Sequence, residues 1–274
     1  MAENIDIKWR QKLQDKFQHQ IKRWLKAYRN CSKHFSEPSV HDVRVQSRRL
    51  LSLLSIIALA GQKTKQVSKQ IKTTLRHFSQ LRDIHVQTLL LQQFTDSPPL
   101  QLQADLQRKE KRLLTVLKTD LKNADLASIK RSLRKINRSL KKRVNSSKNK
   151  SALSKIIRHV NEAFNNMIAH AQIGKQHDIA HIHEVRILFK KYRYSVEAIS
   201  DIIPKISSMT VESMQKFQAL MGDIHDLDIL TGILNKHIDT HPKDKPRVQI
   251  IMKKAASKQK QRIREYIAFL AKKY

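Results

Sequence analysis

Two short stretches of this 274-residue chain carry most of its recognisable chemistry. Val40-His41-Asp42-Val43-Arg44 with Arg48-Arg49 recurs, 142 residues later at each position, as Ile182-His183-Glu184-Val185-Arg186 with Lys190-Lys191. A second pair, Arg82-Asp83-Ile84-His85-Val86 and His225-Asp226-Leu227-Asp228-Ile229, is displaced by 143. Arginine offers a planar fork that meets phosphate oxygens with two parallel hydrogen bonds, and lysine adds a compact point charge. His41 and His183 can donate as well once protonated, which a nearby phosphate favours. The chemistry on offer is therefore anion gripping by side chains. Asp83 and Asp226, at equivalent places, would repel phosphate, so they are read either as groups that pair with the stripe cations and hold their rotamers or as ordinary helix-face carboxylates.

Helical spacing turns these residues into stripes. At 100° per residue, His41, Arg44 and Arg48 fall within about 60° of one another, flanked by Arg49, while Val43, Leu50, Leu54 and Ile57 share an opposing arc of about 60°. The later copy repeats the layout. His183, Arg186, Lys190 and Arg193 form one stripe, and Val185, Tyr192, Val196 and Ile199 form the opposite face. Tyr194 lies on the stripe side, about 20° from His183. A solvated helix face normally mixes signs for i,i+4 pairing, whereas these stripes hold like charges.

Apolar residues recur at spacings of three and four through most of the chain, which predicts helices over 4–30, 40–60, 63–94, 99–122, 126–143, 151–173, 179–203, 208–237 and 246–272. Breaks are expected at Glu37-Pro38-Ser39, Gly61, Asp96 to Pro99, Asn123 to Asp125, Asn145 to Ser151, Gly174 to Asp178, Pro204 to Ser208 and Asp239 to Pro246. The shared offset points to a duplication, with halves over 1–123 and 151–274 that pack about a pseudo-twofold axis. Between them, 124–150 is the most basic stretch, with ten Lys or Arg against Asp125 alone. The rhythm of Leu126, Ile129, Leu133, Ile136 and Leu140 favours a packed helix there over a solvated connector.

Composition narrows the class further. The net charge is +32, with 40% hydrophobic residues but only 4 Gly and 6 Pro. That leaves little material for the tight turns of sandwiches and barrels, and neither a G-x-G-x-x-G nor a P-loop pattern occurs. The longest uncharged run, Leu50 to Gln62, is too short to span a membrane. The single cysteine, Cys31, fits a reducing compartment, and Met1 to Lys26 is unlike a signal peptide, so a cytoplasmic protein is expected. A charge of this size destabilises the compact state by self-repulsion, and a polyanionic partner relieves it.

At these same residues the chain resembles the conserved histidine α-helical domain, or CHAD, family. His183-Glu184-Val185-Arg186 through Lys190-Lys191-Tyr192-Arg193-Tyr194 to Glu197 is similar to its H-x-x-R…K-x-x-R-Y-x-x-E signature. Met221-Gly222 with His225-Asp226-Leu227-Asp228 is similar to its L-G-x-x-R-D-x-D element. In the first half, His41, Arg44, Arg48 and Arg49 match the family's histidine helix and Arg82-Asp83 its second element. His85 departs from the family's Asp, and His225 from its Arg. The resemblance implies an all-α fold of two four-helix-bundle-like repeats related by a pseudo-twofold axis, with a basic central channel that binds inorganic polyphosphate. Some members sit on polyphosphate granules, and others are fused to a triphosphate-cleaving domain that is not visible in this sequence.

The expected function is thus non-enzymatic polyphosphate binding, without cofactor or metal, through His41, Arg44, Arg48, Arg49, Arg82, His183, Arg186, Lys190, Lys191 and Arg193. Asp83, Asp226, Tyr194 and His225 would support them. Two rivals stay open. A nucleic-acid binder is permitted by charge, although 5% aromatic residues supply few stacking platforms. An HD-type metal-dependent phosphohydrolase is suggested by His41-Asp42, His177-Asp178 and His225-Asp226, but the pairs are not kept between the halves and arginines would repel the metal.

Overall fold

The computed structural model describes residues 2–143, 151–203, 206–207 and 209–273. Among them are nine α-helices and no strand. In chain order these are α1 (Ala2–His34), α2 (Glu37–Leu59), α3 (Lys65–Phe94), α4 (Leu100–Asn123), α5 (Leu126–Arg143), α6 (Ser151–Ile173), α7 (Ile179–Ile199), α8 (Val211–Thr240) and α9 (Lys245–Lys273). A 3-10 turn, Pro242–Asp244, precedes α9. The expected breaks at Asn145 to Ser151 and Pro204 to Ser208 lie largely outside the described residues, as does the end of the basic stretch beyond Arg143.

The helix ends explain why a few boundaries move from their expected places. Pro38 sits in the first turn of α2, where its missing N–H is no loss, so α2 starts at Glu37. Phe35, at φ 49°, turns the chain out of α1, its N–H donating to Cys31 O at 2.9 Å. Gly61, at φ 83°, closes α2. Its N–H donates to Ala58 O and that of Gln62 to Ile57 O, a Schellman pair that a side chain at 61 would strain. Asp125 Oδ1 accepts from Ser128 N at 2.7 Å to start α5, and Thr210 Oγ1 accepts from Ser213 N at 3.1 Å to start α8.

The chain divides into two compact units, each drawn from three segments. One comprises Met1–Gln80, Leu114–Phe164 and Lys191–Ser208. Its core gathers Leu13, Phe17, Trp24, Tyr28, Leu50, Leu54 and Phe78, with Trp24 Nε1 donating to Ser47 Oγ at 2.9 Å. Helix α5 packs on α1 in this unit through Ile129, Leu133, Ile136 and Leu140, all buried, while its cations stay at the surface. The other unit comprises Leu81–Leu113, Asn165–Lys190 and Met209–Tyr274. There α8 packs along α9, and Phe217 meets Phe189 edge-on at 4.9 Å while stacking on Tyr266 and Phe269.

Both stripe helices bury the face that periodicity assigns them. Val43, Leu50, Leu54 and Ile57 are fully buried on α2, and Val185, Tyr192, Val196 and Ile199 are buried on α7. That leaves the opposite faces to carry charge. Phe217 is buried against three aromatic rings, so Phe217→Ala is expected to cost about 3–5 kcal/mol in urea unfolding. Lys141→Ala, on the exposed side of α5, is expected to change stability by less than about 0.5 kcal/mol.

Candidate functional site

The predicted residues fall into two clusters, one in each unit. In the first, α2 presents His41 at the surface with Arg44, Arg48 and Arg49 half-buried beside it. Arg44 Nε donates to Ser79 Oγ of α3 at 3.2 Å, which orients its fork. The His41 pKa is lowered by burial first and then by Arg44 and Arg48, with Asp42 opposing them. Lys191 of α7 is exposed and helps depress the pKa of His159, after burial.

Arg193 is placed differently from its stripe neighbours. It is buried, with Nη1 3.1 Å from Glu197 Oε1, and its guanidinium lies 4.5 Å from the Tyr194 ring centroid. On the helical wheel Arg193 is the stripe member nearest the apolar face, so burial of α7 carries it inward. Glu197 also faces Arg49 Nε at 4.0 Å, so one carboxylate serves an arginine from each helix. Burial alone would raise the Tyr194 pKa, yet Arg48 and Arg193, both hydrogen-bonded to its side chain, pull it below the ordinary phenol value. At the same seam Ser52 Oγ donates to Tyr194 O at 2.6 Å. Residues 52 and 194 stand at the 142-residue offset.

In the second unit, α7 and α8 bring His183 and His225 together, Nδ1 to Nδ1 at 3.1 Å with ring centroids 4.5 Å apart. Burial pushes the His225 pKa down to about 4, with Arg186, His183 and Lys190 adding to the effect. His183 shifts the same way, through burial, Arg186 and Lys190, against Asp228 and Glu184. Burial raises the Asp226 pKa, and Arg186 is the leading cation that opposes it, with Arg82 behind. Arg82 is in turn lowered by burial and supported by Asp226 and then Asp83. The aspartates thus lie within electrostatic reach of the cluster arginines. Gln87 Nε2 fixes the Asp226 backbone, donating to its carbonyl at 3.3 Å.

Helix α7 contributes to both clusters, residues through Lys190 in one unit and residues from Lys191 in the other. His85 is engaged elsewhere, its Nε2 3.0 Å from Glu110 Oε1. Several participants outside the predicted set are Ser52, Ser79, Gln87 and Glu197. Glu197 had a signal, the i,i+4 spacing from Arg193; the serines and Gln87 had none, because each meets its partner through tertiary packing.

Residues 15–235 match the CHAD domain family, and the chain belongs to it. A crystal structure of the CHAD domain from the plant Ricinus communis superposes with a TM-score of 0.67, at 16% identity, over 96% of this chain and 91% of that one. The fold is therefore shared, while most side chains differ. No curated protein matches the sequence.

The His225 environment sets a sign for pH dependence. With a folded pKa of about 4 and an unfolded value near 6.5, the unfolded chain takes up the proton first as pH falls. Stability contributed by neutral His225 is complete above about pH 6.5 and is lost progressively toward pH 4. His225→Gln is expected to flatten this part of the stability profile, measured by urea unfolding across the window.

Proposed function

We propose that this CHAD-domain chain is a non-enzymatic binder of inorganic polyphosphate. The observation that carries the reading is the gathering of cations in both clusters: Arg44, Arg48 and Arg49 stand half-buried along α2, and Arg186 and Lys190 neighbour the His183–His225 pair. His41 in one cluster, and His183 and His225 in the other, are held toward the neutral form by burial first and by neighbouring arginines or lysines after it. Two separate sites of positive potential, both built on the same His-x-x-Arg stripe, suit a polymer that repeats one anionic unit. Family membership supports the same ligand class.

In this reading His41, Arg44, Arg48, Arg49 and Lys191 bind in one cluster, and Arg82, His183, Arg186 and Lys190 in the other. Arg193 acts with Glu197 and Tyr194 to hold the Arg48 and Arg49 forks in place. Asp83 and Asp226 hold the arginines of the second cluster, and His225 supports His183. The contact between positions 52 and 194 supports a pseudo-twofold arrangement of the duplicated halves, 1–123 and 151–274, as the family's channel requires. A granule-associated or targeting role in the cytoplasm is the physiological reading that family membership suggests for such binding. Among the described residues no helix is long and apolar enough to cross a membrane.

Binding should be steeply salt-dependent, because counterions leave the polymer as lysines and arginines replace them. It should also take up protons, since phosphate stabilises charged histidine. Calorimetry in buffers of different ionisation enthalpy will show net proton uptake near pH 7 if the histidines participate. Arg44→Glu combined with Arg186→Glu is expected to weaken binding by at least about 100-fold, from two charged contacts of about 1.5–3 kcal/mol each. The circular dichroism should not change. Arg131→Glu with Arg134→Glu on α5, both exposed, serves as the matched reversal; equal damage there would reject the site. Competition against DNA and RNA at equal phosphate concentration tests the ligand, and a preference for nucleic acid would reject polyphosphate.

A further inference from the structure

Outside both cationic clusters, the junction of α6 and α7 gathers three groups of another kind. His170 in the last turn of α6, His181 in the first turn of α7 and Glu184 one turn later each offer a ligand atom, all within 4.8 Å of one another. His170 Nε2 lies 2.8 Å from Glu184 Oε2, and the two imidazole rings are 5.0 Å apart at 30°. The i,i+3 spacing sets His181 and Glu184 on one face of α7. All three belong to the same unit.

Two independent features mark the junction as more than a surface ion pair. His181 is 9% exposed, and its Nε2 is buried without a hydrogen-bond partner among the described residues. A buried ring nitrogen left unsatisfied calls for an explanation. Gly174, just past the end of α6, lies directly against that ring: a Cβ there would collide with Cε1, Nδ1 and Nε2. The missing side chain is what gives the imidazole its place. Asp178 Oδ1 accepts from Ala180 N at 3.1 Å, so the first turn of α7 that carries His181 is itself capped.

We propose that His170, His181 and Glu184 form a site for one divalent transition metal, with Zn²⁺ the best match. Two imidazoles and one carboxylate are a familiar zinc donor set, and three protein ligands leave a fourth position for water or an anionic oxygen. Ligand atoms around a tetrahedral Zn²⁺ lie about 2.0–2.2 Å from the metal and so about 3.3 Å from each other. The present spacing reaches that by side-chain rotation alone. Glu184 is largely exposed and, among the described residues, held only by His170, whereas His181 is buried in place. Binding replaces the His170–Glu184 contact with bonds from both side chains to the metal and ties the end of α6 to the first turn of α7. The aspartates of the His-Asp pairs in the sequence, Asp42, Asp178 and Asp226, take no part.

The test uses the full chain in a phosphate-free buffer without polyphosphate, which would itself chelate the metal. Calorimetric titration with Zn²⁺ is expected to show one site per chain and a higher melting temperature. Co²⁺ should give the intense visible absorption of a tetrahedral centre. His170→Ala and Glu184→Gln, both at accessible positions, should each weaken Zn²⁺ binding by at least about 10-fold with unchanged circular dichroism. Gly174→Ala should weaken it as well, by displacing His181. Undiminished binding in both His170→Ala and Glu184→Gln would overturn the proposal. So would Zn²⁺ uptake that disappears only in His183→Asn, since that places the metal on the His183–His225 pair.

Discussion

Everything in this molecule depends on holding like charges still. Each stripe helix must keep several cations on one face, where they repel, and the free energy that offsets the repulsion comes from the opposite face. Val43, Leu50, Leu54 and Ile57 on α2 are fully buried. Burying side chains of this size is worth about 1.5–3 kcal/mol each, more than the repulsion of half-exposed charges screened by salt. The cation stripes can therefore persist without a bound counter-ion. At His41, His183 and His225 burial first, and the neighbouring cations after it, favour the neutral imidazole.

The clusters manage charge locally as well. Glu197 faces Arg193 and Arg49, and Asp226 opposes Arg186 and Arg82. These carboxylates reduce the net charge that a ligand meets, yet they also stop long side chains from wandering. An arginine already held in one geometry loses less entropy when it grips a phosphate. The design favours order over raw potential.

Much of this was legible in the sequence because it is periodic or repeated. The rhythm of Ile129, Leu133, Ile136 and Leu140 marks α5 as packed, and the constant offset identifies the stripe residues without any structure. Membership in the CHAD family was likewise readable from the paired motifs. What periodicity cannot supply is the fine rotation of a side chain. Arg193 reads as one more stripe cation; its i,i+4 spacing to Glu197 allows the pair, but only packing shows it buried there. Pro38 reads as a break when it is a start, because the pattern alone does not say on which side of a proline a helix lies. His170, His181 and Glu184 escaped notice for a related reason. They sit on two helices joined by a turn, and although Glu184 falls within the repeat, neither histidine does.

The composition of the two units bears on how the protein is made. One unit takes its last segment from residues 191–208, and the other takes its last from residues 209–274. During synthesis the N-terminal helices emerge long before the partners that complete their core. The first 80 residues must wait for more than a hundred others before their unit closes. Through that interval the apolar faces of α1 and α2 lack part of their cover, while their cations keep neighbouring nascent chains apart. Net charge far from zero keeps chains apart, so the cations of α1 and α2 oppose aggregation of the incomplete unit whatever anion the finished protein meets.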